Sequence, residues 1–451
     1  MANTGKKKSA DLRKTVEGRL RSAVRPGEHV VVGLSGGVDS VTLLSIVVSV
    51  RKALGISVTA VHVNHGLSPN AEKWAEFCRD LCSTLDVPVV VERADLGPWR
   101  SMGLEGAARE ARYEILRRHR SDAILLGHHL NDQAETLIVQ LLRGAGAAGL
   151  AGMAEADDGK AKVIRPLLRV TRSVIEDFAK AEGLSWVEDE SNADLDRPRN
   201  LIRHGILPML DREFPGVAGR IARSASHLAE AAHLIRELGR LDLQACEQDG
   251  ALSISRLQDL GELRARNVIR FWSESHGFPP APTSASLELW RQLLNSRPDS
   301  SPEVMVGGAC YRRYRDSLYI ERPLQTKRES VSRLWTGAPS VDLGEFGGSL
   351  LFTPIHGAGL SAAKLYSKTI TVRTRRGGER LRPDIRRPTR SLKSLLQQNG
   401  VPVWKRHSLP LIFCDEALVS VPGIADDCMW IAGKDEPGIV LVWKEKFSAS
   451  P

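Results

Sequence analysis

Short apolar runs alternate with amphipathic stretches through the first two hundred residues. Val30-Val31-Val32 is an unbroken apolar run of strand length, and it passes through Gly33-Leu34-Ser35-Gly36-Gly37 into a helix-compatible run from Val41 to Val50. Ile56 to Val63 is a second, β-branched run. Residues 71–86 then set Trp74, Phe77, Leu81 and Leu85 on one side of a helix, and Val87 to Val91 predicts another strand. Leu104 to Tyr113 has helical spacing, Ala123 to Gly127 reads as a short strand, and Asn131 to Arg143 is an amphipathic helix closed by Gly144-Ala145-Gly146. A helix over Thr171 to Glu182 completes the series. Strands and helices in this alternation predict an α/β fold, a doubly wound, Rossmann-like parallel sheet from about residue 28 to 190.

The pattern changes afterwards. Residues 216–325 carry a long helical stretch from Val217 to Glu247, shorter helices near 255–275 and 284–295, and a hairpin through Val304–Val306 and Leu318–Ile320. This reads as a second, mainly helical domain. Gln325 to Gly337 is polar and basic and reads as a linker. The remainder has short β-like runs at Ile370–Val372, Leu411–Cys414, Leu418–Val421 and Val440–Val442 and one helix at Ser391–Gln398, the pattern of a small α+β domain. The expected division is therefore 1–215, 216–325 and 338–451.

The junction after the first strand carries the clearest chemistry. A strand feeding a helix N-terminus gathers unpaired backbone N–H groups and the positive end of the helix dipole, which makes a phosphate cradle. Gly36 and Gly37 let backbone approach an anion, Ser35 and Ser40 add hydroxyls on either side of Val38, and Asp39 sets a carboxylate where a divalent cation could bridge to phosphate. The Walker lysine is absent. Further candidates follow at the predicted carboxyl edge of the sheet, where ligands bind in open α/β folds. They are His65 after the second strand, where His62 reads as a satisfied turn residue, and His128, Asp132 and Glu135 after the fourth. Asp132 and Glu135 lie one helical turn apart, so they either complement the helix dipole or share a metal and substrate site with Asp39. Glu105, Arg109 and Arg112 share a helix face, which suits solvated pairing or a phosphate or base contact.

Composition narrows the partners. A net charge of +9 over 451 residues favours a polyanion. Between Arg373 and Arg406 eleven basic side chains, among them Arg373, Arg375, Lys393 and Arg406, face only Glu379 and Asp384, which favours phosphate-backbone binding. Trp404 either stacks on a base or anchors a small core. The lysine-rich start lacks the apolar centre of a signal peptide, and no run reaches membrane-spanning length, so a cytoplasmic protein with no membrane partner is expected. The six cysteines form no C-x-x-C pair and read as buried thiols.

Taken in order, SGGVDS, His65-Gly66-Leu67, LEGAAREARY, GHHLNDQAET with LLRGAG, RPLL, and DESN with RNLIR resemble the tRNA(Ile)-lysidine synthetase family of PP-loop ATP pyrophosphatases. TVRTRRGGERLRP, SLKSLLQQNGVPVWKR and VPG resemble its C-terminal domain. The resemblance implies a carbon–nitrogen ligase that uses ATP to adenylate C2 of the wobble cytidine in a CAU-anticodon tRNA(Ile). Free L-lysine then attacks, giving lysidine, AMP and pyrophosphate. By the same resemblance Ser35 to Ser40 bind ATP, and Asp39 and Glu135 hold Mg²⁺. Asp132 meets the lysine amine, while His65, Glu105, Arg109, Arg112, His128 and Arg203 contact substrate. The later domains grip tRNA, and a homodimer is left open. Ser68, Asn64 and Asn131 stand where the family often has Arg, Asp and an acid, and Pro198 precedes Arg199. The alternatives are another PP-loop tRNA-modifying enzyme of sulfurtransferase type and a non-catalytic tRNA-binding protein.

Overall fold

Val30, Val31 and Val32 are all fully buried, because the strand that carries them is covered on both faces. In the computed structural model this is β1 (His29–Gly33), the centre of a six-stranded sheet. The structure describes residues 2–157, 159, 161–190, 194–294, 302–323, 332–343 and 348–445. The chain divides into two compact units, residues 1–237 and 238–451.

The first unit begins with α1 (Ala2–Ala23) and β1, then α2 (Val38–Leu54), β2 (Ser57–Asn64), α3 (Ala71–Thr84) and β3 (Val89–Arg93). It continues with α4 (Gly103–Arg118), β4 (Ala123–Leu125), α5 (Leu130–Leu142), α6 (Ala147–Leu150), β5 (Ala156–Asp157), β6 (Val163–Ile164) and α7 (Arg172–Ala181). Strand order is β3-β2-β1-β4-β6-β5, with β1 parallel to β2 and β4, β2 to β3 and β4 to β6, while β5 is an antiparallel edge. Period-two alternation sorts side chains between the faces. Val30, Val32, Ala60 and Leu125 join α1, α2, α3 and α7 in one core, whereas Val31, Val61, Ile124 and Val163 pack with Tyr113, Ile115 and Leu116 of α4. Because β2 and β4 flank β1 on opposite sides, the chain reverses its winding at the carboxyl end of β1. A crevice opens there.

One helix face differs from its pattern. On α3 the fully buried stripe is Ala75, Cys78 and Cys82, with Phe77, Leu81 and Leu85 only partly buried at its border. Small side chains let α3 approach the sheet beneath the glycine loop.

After α7 come α8 (Pro198–Leu201), a π-turn at Ile202–Ile206, α9 (Leu207–Glu213) and α10 (Val217–Cys246). The middle region then holds more strand than its helical pattern suggested. It contains β7 (Glu247–Gln248), β8 (Ala251–Ser253), α11 (Ile254–Asp259), α12 (Glu262–Ser275), α13 (Thr283–Leu294), β9 (Glu303–Val306), β10 (Ala309–Tyr314) and β11 (Ser317–Glu321). The strands form a sheet in the order β7-β8-β11-β10-β9, packed around the fully buried Trp272. The expected pairing of Val304–Val306 with Leu318–Ile320 is replaced by two hairpins, because β10 inserts between β9 and β11. Residue 295 of the expected third helix lies outside the described residues.

The expected linker needs a correction. Its residues 325–331 lie outside the described ones, but Ser332–Trp335 is β12, paired with β16 (Ile370–Arg373), since Trp335 stacks on Phe352 at 4.5 Å in the C-terminal core. Between those strands lie β13 (Ser340–Asp342), β14 (Gly348–His356), β15 (Leu360–Ser361) and α14 (Ala362–Tyr366). After β16 come β17 (Arg380–Leu381), β18 (Arg390–Ser391), α15 (Leu392–Gln398), β19 (Leu411–Cys414), β20 (Ala417–Val421), β21 (Ala425–Asp426) and β22 (Pro437–Glu445). No helix among the described residues is long and apolar enough to cross a membrane.

Candidate active site

The loop between β1 and α2 holds its shape by short polar bonds. The Ser35 amide donates to Ser40 Oγ at 3.2 Å, the two hydroxyls lie 3.1 Å apart, and Ser40 Oγ donates to the Gly37 carbonyl at 2.9 Å. Gly36 adopts φ +89°, and a Cβ on it would lie 2.8 Å from Val187. Only glycine satisfies both conditions. Gly127 is needed for a different reason: a Cβ there would press on the backbone of Asp39 and Ser40 at 3.1 Å. The exit of β4 therefore passes against the first turn of α2.

That approach brings the second acid group in. His129 caps α5 in a capping box: the Asp132 amide donates to His129 Nδ1 at 3.3 Å, and the His129 amide donates to Asp132 Oδ2 at 3.0 Å. His129 Nε2 then stands 3.6 Å from both Asp39 Oδ1 and Asp132 Oδ2. Asp39 and Asp132 thus converge from two elements, as a shared site requires. Burial pushes the Asp39 carboxyl above its usual range, against the pull of His129 and Arg172. Burial acts on Asp132 in the same sense, but His129, Arg199 and His128 overcome it and hold that carboxyl below the usual range. Asp132 stays ionised, which suits holding an ammonium better than taking its proton.

Glu135 departs from expectation. It is 1% exposed, and both of its oxygens are occupied by guanidinium groups: Arg199 Nε donates to Oε2 at 2.8 Å, Arg203 Nε to Oε1 at 2.7 Å and Arg203 Nη2 to Oε2 at 2.9 Å. The same two arginines donate to Asp132 Oδ1 at 3.0 and 3.2 Å. Glu135 is therefore read as the anchor of Arg199 and Arg203 rather than as a metal ligand, since its two oxygens already accept three hydrogen bonds from these guanidinium groups. A Mg²⁺ fits at Asp39, whose buried Oδ1 has no hydrogen-bond partner, because this cation commonly takes one carboxylate together with substrate phosphates. Among the described residues no cluster of three His, Cys, Asp or Glu side chains forms a metal cage.

A crevice of about 350 Å³ joins these groups, with Ser35, Asp39, Ser40, His65, Arg112, His128 and Asp132 in its polar wall and Leu34, Val61, Val63, Leu116 and Leu126 in its apolar one. In that wall Asp39 Oδ1, His65 Nδ1, Arg112 Nε and His128 Nδ1 are buried without a hydrogen-bond partner. Buried polar atoms are rarely left without a partner, and a bound ligand or ordered water completes such groups. Burial holds both histidines neutral, His65 near pKa 4 and His128 near 3, with Arg112 and its neighbours adding to the effect.

The remaining expected residues are less central. Arg109 lies over the Tyr113 ring at 5.1 Å and does not line the crevice, and Glu105 is exposed on the first turn of α4. In the second unit, Arg373 stacks over Phe413 at 3.7 Å and Arg375 pairs with Glu379 at 3.4 Å, whereas Lys393 is exposed on α15. Arg406 is corrected as an RNA contact: it is buried and donates to the Val401 carbonyl and the Tyr314 hydroxyl. Trp404 lies outside the small C-terminal core and is half-buried against the β10–β11 hairpin, where its Nε1 donates to Glu321 at 3.1 Å and its ring meets Tyr314 and Tyr319 edge-on.

Arg199 and His129 were the residues missed. The four-residue spacing of Arg199 and Arg203 was the available signal, for it sets both on one helical face. Two departures from the family pattern find partners: Asn64 donates to Glu72 and accepts from the Gly66 amide, and Asn131 accepts from the Arg172 amide. Ser191 and Asn192 of the DESN string lie outside the described residues. All thiols are free, and Cys78 and Cys82 are pushed by burial to about 12 and about 11. A sulfur-transfer reaction finds no accessible thiol pair in them.

Known proteins resemble the chain over most of its length. Residues 9–210 match a PP-loop domain, residues 252–319 a TilS substrate binding domain and residues 370–443 a TilS substrate C-terminal domain. The chain is 39% identical over 430 residues to the tRNA(Ile)-lysidine synthase of Nitrosomonas europaea, covering 94% of this chain and 93% of that one. It is 41% identical over 400 residues to that of Chromobacterium violaceum, covering 87% and 91%. With the motifs in one order and the alignments running almost end to end, the chain belongs to the tRNA(Ile)-lysidine synthase family.

Proposed function

We propose that the protein joins free L-lysine to C2 of the wobble cytidine of a CAU-anticodon tRNA(Ile), in the cytoplasm, at the expense of ATP. The observation that carries this reading is the convergence of Asp39 and Asp132 on the crevice beside the Ser35–Ser40 loop. In the first step the cytidine O2 forms a bond to the α-phosphorus of ATP and the bond to pyrophosphate breaks. In the second the lysine ε-nitrogen bonds to C2, and AMP leaves with the former O2.

Each step makes a demand that residues in the crevice suit. Phosphate charge meets the loop amides, Ser35 and Ser40 at the N-terminus of α2. Asp39 would hold Mg²⁺, which when bound supplies charge neutralisation at the phosphates. The apolar wall of Leu34, Val61, Leu116 and Leu126 suits a flat base, and the unpartnered nitrogens of His65, Arg112 and His128 suit nucleotide oxygens. Asp132 meets the lysine ammonium. At pH 7 a free lysine amine with pKa near 10.4 costs about 4.6 kcal/mol to deprotonate. Desolvation and the nearby Arg112 lower that cost by disfavouring a further cation, the ionised Asp132 opposes them, and the proton passes to solvent water.

Incubation of the purified protein with ATP, Mg²⁺, radiolabelled lysine and unmodified CAU-anticodon tRNA(Ile) tests the reading. ATP-dependent label retained on the RNA is the expected result; bound tRNA without label would overturn it in favour of a binding role.

A further inference from the structure

His129 has no part in the steps above, yet it is 1% exposed and stands between the two acids on which they depend. Its orientation is fixed from the helix side. The Asp132 backbone amide points at Nδ1 and can only donate, so Nδ1 must present a lone pair. In the neutral ring the proton then resides on Nε2. That nitrogen is 3.6 Å from Asp39 Oδ1, the buried oxygen that lacks a hydrogen-bond partner, and 3.6 Å from Asp132 Oδ2. Both distances are too long for a hydrogen bond at rest and short enough to tighten when substrates close the site.

The oxygens turned away from His129 are accounted for differently. Asp132 Oδ1 accepts from Arg199 and Arg203, and Asp39 Oδ2 faces Arg172 Nη1 at 3.6 Å. Two carboxylates drawn to one small site repel each other unless a donor stands between them. The Nε2–H supplies that donor, and the capping bond keeps it there.

We propose that His129 is a positioning residue of the lysidine reaction: its bond to the α5 N-terminus holds an Nε2–H between Asp39 and Asp132, poised to draw the phosphate-loop acid and the acid on α5 together as substrates bind. The proposal rests on the functional reading above. A misplacement of about 1 Å at such a site costs on the order of 10²-fold in rate.

Two measurements decide it. In the ligand-free protein, ¹⁵N spectra of labelled histidine should show His129 as the Nε2–H tautomer; an Nδ1–H ring would overturn the proposal whatever the activity. His129→Asn keeps an oxygen able to cap α5 but places no donor at the Nε2 position. It should melt with the wild type, bind tRNA within about twofold, and lose about 10²-fold in kcat for lysidine formation. A folded His129→Asn variant with wild-type kcat would overturn the assignment while leaving the functional reading intact. A wild-type protein that makes no lysidine would overturn that reading and the rate effect with it.

Discussion

Arginines do opposite work in two parts of this molecule. Around α5, Arg199 and Arg203 direct five hydrogen bonds at just two carboxylates, one of them almost fully buried, and so build the floor of the site. Between residues 373 and 406, eleven basic residues look like one cationic surface in sequence, but only Arg376, Arg380, Arg386, Arg387 and Lys393 are exposed, and several of the eleven are already engaged by neighbouring groups. Arg382 donates to the Arg387 and Ile385 carbonyls, Arg380 to the Thr389 carbonyl, Arg390 to Gln398 and Ser394, and Arg406 is buried. Charge count therefore says little about where charge is available. Position relative to a sheet edge or a helix cap says more.

The sharpest break of the comparison is at the loop. Asp39→Ala removes the carboxylate that would hold the cation without touching the second unit. Turnover should fall by about 10³-fold or more while tRNA affinity stays within about twofold. Label incorporation and filter binding on the same preparation check it, and comparable activity in the variant would remove the metal role.

Glu135→Gln probes the arginine floor. Removing one partner from a buried ion pair strands the others, and the expected cost is about 3 kcal/mol or more. Hydrogen exchange of the α5 amides should accelerate accordingly. Unchanged protection would mean that Arg199 and Arg203 find other partners and that the ladder on Glu135 is incidental.

The parts that were legible in sequence share a physical cause. Val30–Val32, SGGVDS and the strand–helix alternation are local signals, fixed by periodicity and by backbone needs such as the positive φ of Gly36. Asp132 was legible because a helix start has its own grammar. Glu135 was read as a ligand because its partners lie 64 and 68 residues away, and no local pattern records that distance. The insertion of β10 between β9 and β11, and the strand at Ser332–Trp335 in an apparent linker, were hidden for the same reason: pairing partners are chosen by tertiary packing.

A third effect, of intermediate size, follows from the neutral histidines in the crevice. Their folded pKa values, about 3 for His128 and about 4 for His65, lie below the unfolded value near 6.5, so the unfolded chain binds more protons between those limits. Their contribution to stability is complete above pH 6.5 and is lost as pH falls, through about 4 for His65 and about 3 for His128. Near pH 5 each contributes a slope of up to about 1.4 kcal/mol per pH unit. Urea midpoints for the wild type and His128→Gln at pH 7 and pH 5 should diverge, with the variant losing less on acidification. Parallel losses would show that His128 is solvated in solution.

The smallest effect sharpens the contrast on the side of the second unit. Arg376, Arg386 and Lys393 are exposed, and among the described residues their side chains make no hydrogen bond or ion pair, whereas Arg373 and Arg375 are held against Phe413 and Glu379. If RNA phosphates are met here, these three cations meet them. Changing all three to Gln should leave the melting temperature in place and lower the slope of log affinity against log salt by about one for each phosphate that is no longer neutralised. Arg406→Gln should do the reverse, destabilising the 401–407 segment that carries Trp404 while leaving the slope of the folded fraction unchanged. A lower slope in Arg406→Gln, or an unchanged slope in the triple variant, would place the RNA surface where the sequence count put it, on the run as a whole.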